Sequence, residues 1–283
     1  MENKFKNKFS NIGYKDQFNL DGKVAFVTGG AGFLGQHFCM GLAESGANIA
    51  VVDIDLSKAQ EVAKLINEKC EVDAIGYECD VSNPESVKKT VNNVVIDFSE
   101  INILHNNAAS KSSDLDAFFA PFEEYSLEQW REIMAVNIDG MFLVAQEVGN
   151  QMIKQKKGGS IIQTSSIYGV MAPDNNIYEG SFYLGREINP PAVYTTSKAA
   201  VIGLSKHLAS YWANKGIRVN TLTPGGTESG QNEEFKRRYS ARTPMGRMAN
   251  AHEIVGALLY LASDASSYVT GQNIIVDGGL NCL

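Results

Sequence analysis

Tyr194 and Lys198 stand four residues apart in the run YTTSK, a spacing that puts a phenol and an ammonium on one face of a helix. A free phenol, with a pKa of about 10, is a poor base near neutrality. A neighbouring cation favours the phenolate and brings the group toward the working range of a proton carrier. A second set of residues suits phosphate. Thr28-Gly29-Gly30-Ala31-Gly32-Phe33-Leu34-Gly35 follows an apolar run and opens a helical pattern, a setting in which backbone N–H groups and the helix dipole attract a pyrophosphate. Asp53 comes 18 residues after Gly35 (53 − 35), at the end of the next apolar run. A carboxylate there accepts hydrogen bonds from a ribose 2′-OH and repels a 2′-phosphate. Ile54, Asp55 and Leu56 bring no arginine to neutralise such a phosphate, so the pattern favours NAD over NADP. The competing reading of Asp53 is a cap on the following helix.

These groups need elements to hold them. Short apolar, β-branched runs alternate with longer helical patterns. The spacing predicts strands over Val24–Thr28, Asn48–Asp53, Ala74–Glu78, 101–105, 160–164, 217–222 and Asn273–Val276. Between them it predicts helices near 33–45, 57–69, from Pro84 with Ser82 as N-cap, 127–155, 194–215 and 252–262. Apolar strands separated by helices imply a parallel sheet covered on both faces, because parallel pairing requires a crossover. The expected fold class is α/β: a single doubly wound, Rossmann-type domain of about seven strands over 20–283, preceded by a loose arm over 1–19. Ligands of such folds lie beyond the carboxyl ends of the strands. The one long irregular stretch, 170–193, is expected to serve substrate binding.

Bulk properties narrow the field. The chain has 283 residues and a net charge of −7 from 25 Lys+Arg and 32 Asp+Glu, which argues against nucleic acid or an anionic membrane as a partner. No apolar run approaches the ~20 residues that span a bilayer. Cys39, Cys70, Cys79 and Cys282 show neither a CxxC pair nor ligand spacing with histidine, so no metal site is expected and reduced thiols in a cytoplasmic protein are.

Together the motifs resemble the short-chain dehydrogenase/reductase family, compact branch, from about Asp21 to Gly279. They are TGGAGFLG at 28–35, DV at 80–81, NNAA at 106–109, VN at 136–137, SSIYG at 165–169, YTTSK at 194–198, RVNTLTPGG at 218–226 and VTGQNIIVDGG at 269–279. The resemblance implies Ser166 as the hydrogen-bond donor to the substrate oxygen and Tyr194 as its acid–base. It implies that Lys198 lowers the tyrosine pKa and holds the nicotinamide ribose, and that Asn137 holds a water linking the lysine to solvent. It implies a cofactor site of Gly29, Gly32, Phe33, Leu34, Gly35, Asp53, Ile54, Asp80 (on the adenine amino group), Val81, Asn107 and Ala108 (along the adenosine ribose). To these it adds Tyr194, Lys198, Pro224, Gly225, Thr227 and Ser229, the last on the nicotinamide amide. A homotetramer or dimer through 127–155 and 194–215 is also implied.

Three departures bear on function. Phe33 stands where the compact branch has its middle glycine, giving the TGxxGxxG spacing of extended-branch epimerases and dehydratases, although the closing VDGG strand favours the compact branch. Ala109 replaces the glycine that usually follows NNA. Ser166 and Tyr194 are 28 residues apart (194 − 166), about twice the common family spacing. The added residues, within MAPDNNIYEGSFYLGREINPPAVY, must pass near the substrate. Their amides, carboxylates and tyrosines suit a polyhydroxylated molecule better than an apolar one, with Tyr168, Tyr178 and Glu179 as candidate contacts. The segment resembles that of sugar and sugar-acid dehydrogenases, gluconate 5-dehydrogenase-like and surface-glycan pathway members among them. A plain surface loop or oligomer contact is the alternative. Lys236, Arg237, Arg238 and Arg242 either meet a substrate anion or form a solvated helix face. The expected activity is NAD-dependent hydride transfer at a secondary alcohol or ketone of a sugar, sugar acid or nucleotide sugar. The alternatives are another small carbonyl or ketoacyl compound, epimerase or dehydratase chemistry, and a silent NAD-binding regulator.

Overall fold

The run VAFVT at Val24–Thr28 (β1) is buried at every position and lies third from one edge of a seven-stranded parallel sheet. A computed structural model describes residues 13–112, 114–183 and 185–282; the first twelve residues of the expected arm fall outside it. The other strands are β2 (Asn48–Asp53), β3 (Ala74–Glu78), β4 (Ile103–Asn106), β5 (Gly159–Thr164), β8 (Ile217–Pro224) and β9 (Asn273–Val276), in the order β3-β2-β1-β4-β5-β8-β9. The β1 strand pairs with β2 on one side, Val27 opposite Val51, and with β4 on the other, Val27 opposite His105. The strand order therefore reverses at β1, and a crevice opens beyond its carboxyl end.

Two apolar layers cover the sheet. Helices α1 (Phe33–Glu44), α2 (Leu56–Lys69) and α9 (Ala251–Ala262) bury Phe38, Leu42, Ile66, Ile254 and Leu258 on one face. Helices α3 (Pro84–Phe98), α6 (Met141–Gln155) and α7 (Ala192–Trp212) bury Val87, Val91, Val148, Met152 and Trp212 on the other.

Four details depart from the sequence expectation. The cap of α3 is Asn83, whose side chain accepts from the Glu85 and Ser86 amides; Ser82 instead donates its hydroxyl to Asp80. The fourth strand starts two residues late, because Gln155 takes both the N–H and the C=O of Ile101 out of the ladder. The long helix 127–155 divides into α5 (Leu127–Met134), a wide π-helical turn (Ala135–Gly140) and α6. The stretch 170–193 is less irregular than its composition suggests. Asp174 caps a turn over Asn175–Ile177, and a small antiparallel hairpin follows, β6 (Phe182–Tyr183) with β7 (Arg186–Glu187). Two further helices were not anticipated, α4 (Leu115–Phe118) and α8 (Glu233–Arg242). No helix among the described residues is long and apolar enough to cross a membrane.

Candidate active site

The chain leaves β1 through the glycine turn. Gly29 has a φ of +61°, and a Cβ there would stand 3.0 Å from the Ala108 Cα. A Cβ on Gly35 would stand 2.0 Å from the Gly29 carbonyl oxygen. Glycine alone permits this backbone and this close approach of α1 to the turn. Helix α1 begins after Gly32 with no side chain capping it, which leaves first-turn N–H groups to an anion.

A cavity of about 370 Å³ opens on this turn. Its lining includes Gly29, Gly32, Phe33, Leu34, Gly35, Asp53, Ile54, Asp80, Val81, Asn107 and Ala108, so the structure gathers that whole part of the implied cofactor set. Asp53 Oδ2 accepts from the Ala31 amide at 3.0 Å and Oδ1 from Asp55 at 3.2 Å. The cap on α2 is Asp55, through the Lys58 amide, which disposes of the capping alternative for Asp53. Asp80 is oriented by Ser82, at 2.9 Å from its amide and 2.6 Å from its hydroxyl. Thr28 Oγ1 accepts from the Asn107 and Ala108 amides at 2.9 and 3.0 Å, pinning the loop after β4 to the end of β1. The glycine cradle, the free helix terminus and the carboxylate at the end of β2 fit an adenine dinucleotide.

Ser166, Tyr194 and Lys198 meet beyond β5. The Ser166 hydroxyl accepts from the Tyr168 amide at 3.3 Å and stands beside the Tyr194 phenol. Ser165 turns the other way and donates to the Lys198 carbonyl at 2.7 Å, so of the two serines only Ser166 faces the tyrosine. Lys198 is 3% exposed, and its Nζ donates to the Thr164 carbonyl at 3.1 Å. That Nζ lies 5.9 Å from the centre of the Tyr194 ring, as the four-residue spacing requires. The balance on the phenol differs from the sequence expectation. Burial raises the Tyr194 pKa, and the group that opposes it is Ser166. Lys198 itself is pulled down to about 8 by burial, because its ammonium has left water for a single carbonyl.

Asn137 occupies the π-helical turn and is fully buried, contrary to a polar residue merely facing water. It accepts from the Ser110 amide at 2.8 Å and donates to Ser197 Oγ at 3.4 Å, tying the loop after β4 to α7. Pro224 and Thr227 line neither cavity: Pro224 is buried at the end of β8, and Thr227 bridges to Ala249.

Tyr194 and Ser166 also line a second cavity of about 290 Å³, with Gly225, Ser229, Tyr168 and Tyr178. The Tyr178 hydroxyl donates to that of Tyr168 at 2.7 Å, and burial pushes both phenols up. The rest of the lining is more aromatic than the inserted sequence suggests: Phe118, Phe119, Phe235 and Tyr239 join it. The polar side chains of the insertion serve elsewhere. Glu179 is outside the lining and pairs with Arg238 at 2.9 Å, Asp174 pairs with Arg242 at 3.0 Å, and Arg186 pairs with Asp116. Arg238 also donates to the Asn176 carbonyl at 2.7 Å, so the insertion is fastened along α8. Lys236 and Arg237 pair with Glu228 and Glu234; all four cations of that cluster thus meet carboxylates of this chain.

Phe235 and Tyr239 escaped the sequence reading, although their four-residue spacing within the charged run EEFKRRYSAR is the mark of a helix with one apolar stripe. Gly226 makes room for them: a Cβ there would stand 2.4 Å from the Tyr239 ring.

The family model described as enoyl-(acyl carrier protein) reductase matches residues 30–281. A sorbose reductase of Candida albicans is 36% identical over 274 residues, covering 94% of this chain and 90% of that protein. Among solved structures, a gluconate 5-dehydrogenase from Burkholderia cenocepacia, in complex with NADP and tartrate, superposes with a TM-score of 0.82 at 32% identity, over 95% of this chain and 98% of that one. An NAD+-bound xylitol dehydrogenase gives 0.79 at 32% identity, over 92% and 99%.

Proposed function

Because this chain belongs to the short-chain dehydrogenase/reductase family, we propose that it oxidises a secondary alcohol of a polyhydroxylated small molecule, or reduces the matching ketone, with NAD preferred over NADP. The observation that carries the reading is the pairing of Ser166 and Tyr194 at the wall of one cavity, with a buried lysine one helical turn below. The sorbose, gluconate and xylitol enzymes that the chain resembles act on molecules of this kind.

Each residue then has a task. Nicotinamide, when bound, supplies the acceptor or donor of the hydride. Ser166 donates a hydrogen bond to the reacting oxygen, which carries more charge as the bond order changes. Tyr194 takes the proton of that hydroxyl in oxidation and returns it in reduction. Lys198, charged below pH 8 or so, stands beneath the phenol and would hold the nicotinamide ribose. Asn137, with one amide hydrogen given to Ser197, uses the other to hold a water on the path from Lys198 to solvent. Asp53, Asp80, Asn107 and Ala108, in the lining of the first cavity, would hold the adenosine end. The preference for NAD follows from the carboxylate of Asp53, since Lys58, a cation that feels its charge, is paired with Asp55 at 2.7 Å and a 2′-phosphate would meet net negative charge. Exposed Phe142 and Tyr211, on α6 and α7, fit association through those helices into a dimer or tetramer.

The test is NADH formation from NAD+ across a panel of alditols, sugars and aldonic acids, repeated with Tyr194→Phe. The variant should bind NAD+ normally yet turn over at least a hundredfold more slowly. Equal activity in the variant removes Tyr194 from the mechanism, and product formed without net NADH marks an epimerase.

A further inference from the structure

The residues added between Ser166 and Tyr194 build a compartment of their own. A third cavity, of about 450 Å³, lies between them and the segment 120–125. Pro190, Pro191 and Thr195 line it and also line the cavity that holds Ser166 and Tyr194. The two spaces therefore abut one residue from the reacting phenol.

The walls of this compartment are fixed. Pro121, Pro173, Pro190 and Pro191, four of the chain's seven prolines, stand in them, and each locks a φ that would otherwise be free. Asn189 ties one wall to the other by donating to the Ala120 carbonyl at 3.1 Å, and Arg186 pairs with Asp116 nearby. A space shaped in advance takes a ligand without the entropic cost of closing round it.

Its chemistry suits a neutral sugar ring. Phe122 lies in the lining and is 73% exposed, an aromatic face on which the C–H groups of a pyranose can pack. Asn175, Thr195 and Thr196 add an amide and two hydroxyls to the same lining, partners for ring hydroxyls. Glu123 is the one charged residue among those that line it. Glu124, Asp174 and Glu187 flank the lining in the chain. Of the cations close by, Arg242 is held by Asp174 at 3.0 Å and Lys198 donates to the Thr164 carbonyl. A phosphate or carboxylate would find only negative charge there.

Resting on the dehydrogenase reading above, we propose that this compartment is a subsite for a neutral glycosyl unit, so that the substrate is a glycosylated alditol or the matching glycosyl ketose. Its polyol end lies beside Tyr194 and its sugar ring against Phe122. In oxidation the carbinol carbon gives a hydride to NAD+ and its hydroxyl gives a proton to Tyr194, leaving the ketone and NADH.

The test assays the purified full-length protein with NAD+ on pairs that differ by one sugar ring: D-glucitol with maltitol, isomaltitol and lactitol, and D-mannitol with its glucosyl derivative. At least one glycoside should exceed its parent in kcat/KM by about tenfold. Phe122→Ala should lower that glycoside-to-alditol ratio by about tenfold, mainly through KM of the glycoside. Asn175→Ala should lower it severalfold, and Phe122→Tyr should keep most of it. No glycoside above its parent, a glucuronosyl ring preferred to a glucosyl one, or a ratio unmoved by both alanine substitutions overturns the proposal while leaving the dehydrogenase reading intact. Self-association lost in Phe122→Ala with the ratio unmoved assigns this face instead to a second copy of the chain. No NADH from either series overturns both.

Discussion

Replacing Lys198 by methionine should make the protein more stable and inactive together. The lysine is 3% exposed, and burial takes its pKa from 10.5 to about 8. At ~1.4 kcal/mol for each step of one, holding this ammonium charged inside the fold costs about 3 kcal/mol at pH 7. Methionine fills similar space without charge but forfeits the bond to the Thr164 carbonyl, a loss of roughly 1–2 kcal/mol. The net gain at pH 7 is therefore about 1–2 kcal/mol. The pH dependence fixes the cause. Below about pH 8 the lysine is charged in folded and unfolded chains alike, and its penalty is full. Between about 8 and 10.5 the unfolded chain keeps a proton that the folded chain has lost, so wild-type stability rises with pH. Above 10.5 both forms are neutral, and the advantage of Lys198→Met disappears. Urea unfolding of the cofactor-free protein at pH 7 and at pH 10 measures this difference. A variant less stable than wild type at pH 7, or an advantage that stays constant between the two pH values, refutes the desolvation argument.

Asp53→Ala should raise the NADP-to-NAD ratio of kcat/KM at least tenfold, read from initial rates with each cofactor; an unmoved ratio removes Asp53 from cofactor choice. Arg238→Ala should leave the urea midpoint of the whole chain in place while amide hydrogen exchange over 174–188 accelerates several-fold, because Arg238 joins Glu179 and the Asn176 carbonyl to α8. Unaltered exchange in that segment would show that α8 does not restrain it.

The dinucleotide end was legible because each of its residues acts through local backbone geometry. The Gly29–Gly35 turn, Asp53 at a strand end and the four-residue offset of Tyr194 and Lys198 are patterns of period and position, and the sheet brings them together. The substrate chamber was read less well, for a physical reason. Which way Glu179 or Asp174 turns depends on cations 59 and 68 residues on, Arg238 and Arg242, and composition alone cannot supply that pairing. The balance on Tyr194 likewise needed three dimensions. A spacing of four announces the lysine, but the degree of burial sets the sign of the shift. Asn137 was placed correctly in a helix, while the wide turn around it left no trace in the apolar period.

That wide turn acts as a phase change in an otherwise continuous rod. Each ordinary residue advances a helix by about 100°, so one loosened turn rotates everything beyond it relative to everything before. Ahead of the turn, Ile133 packs with Val193 and with Phe118, which also lines the second cavity. Past it, Val144, Val148 and Met152 lie flat on the sheet. One rod thereby grips two differently angled partners, and the asparagine sits at the joint where the two grips change over, gaining an orientation that neither half would give it.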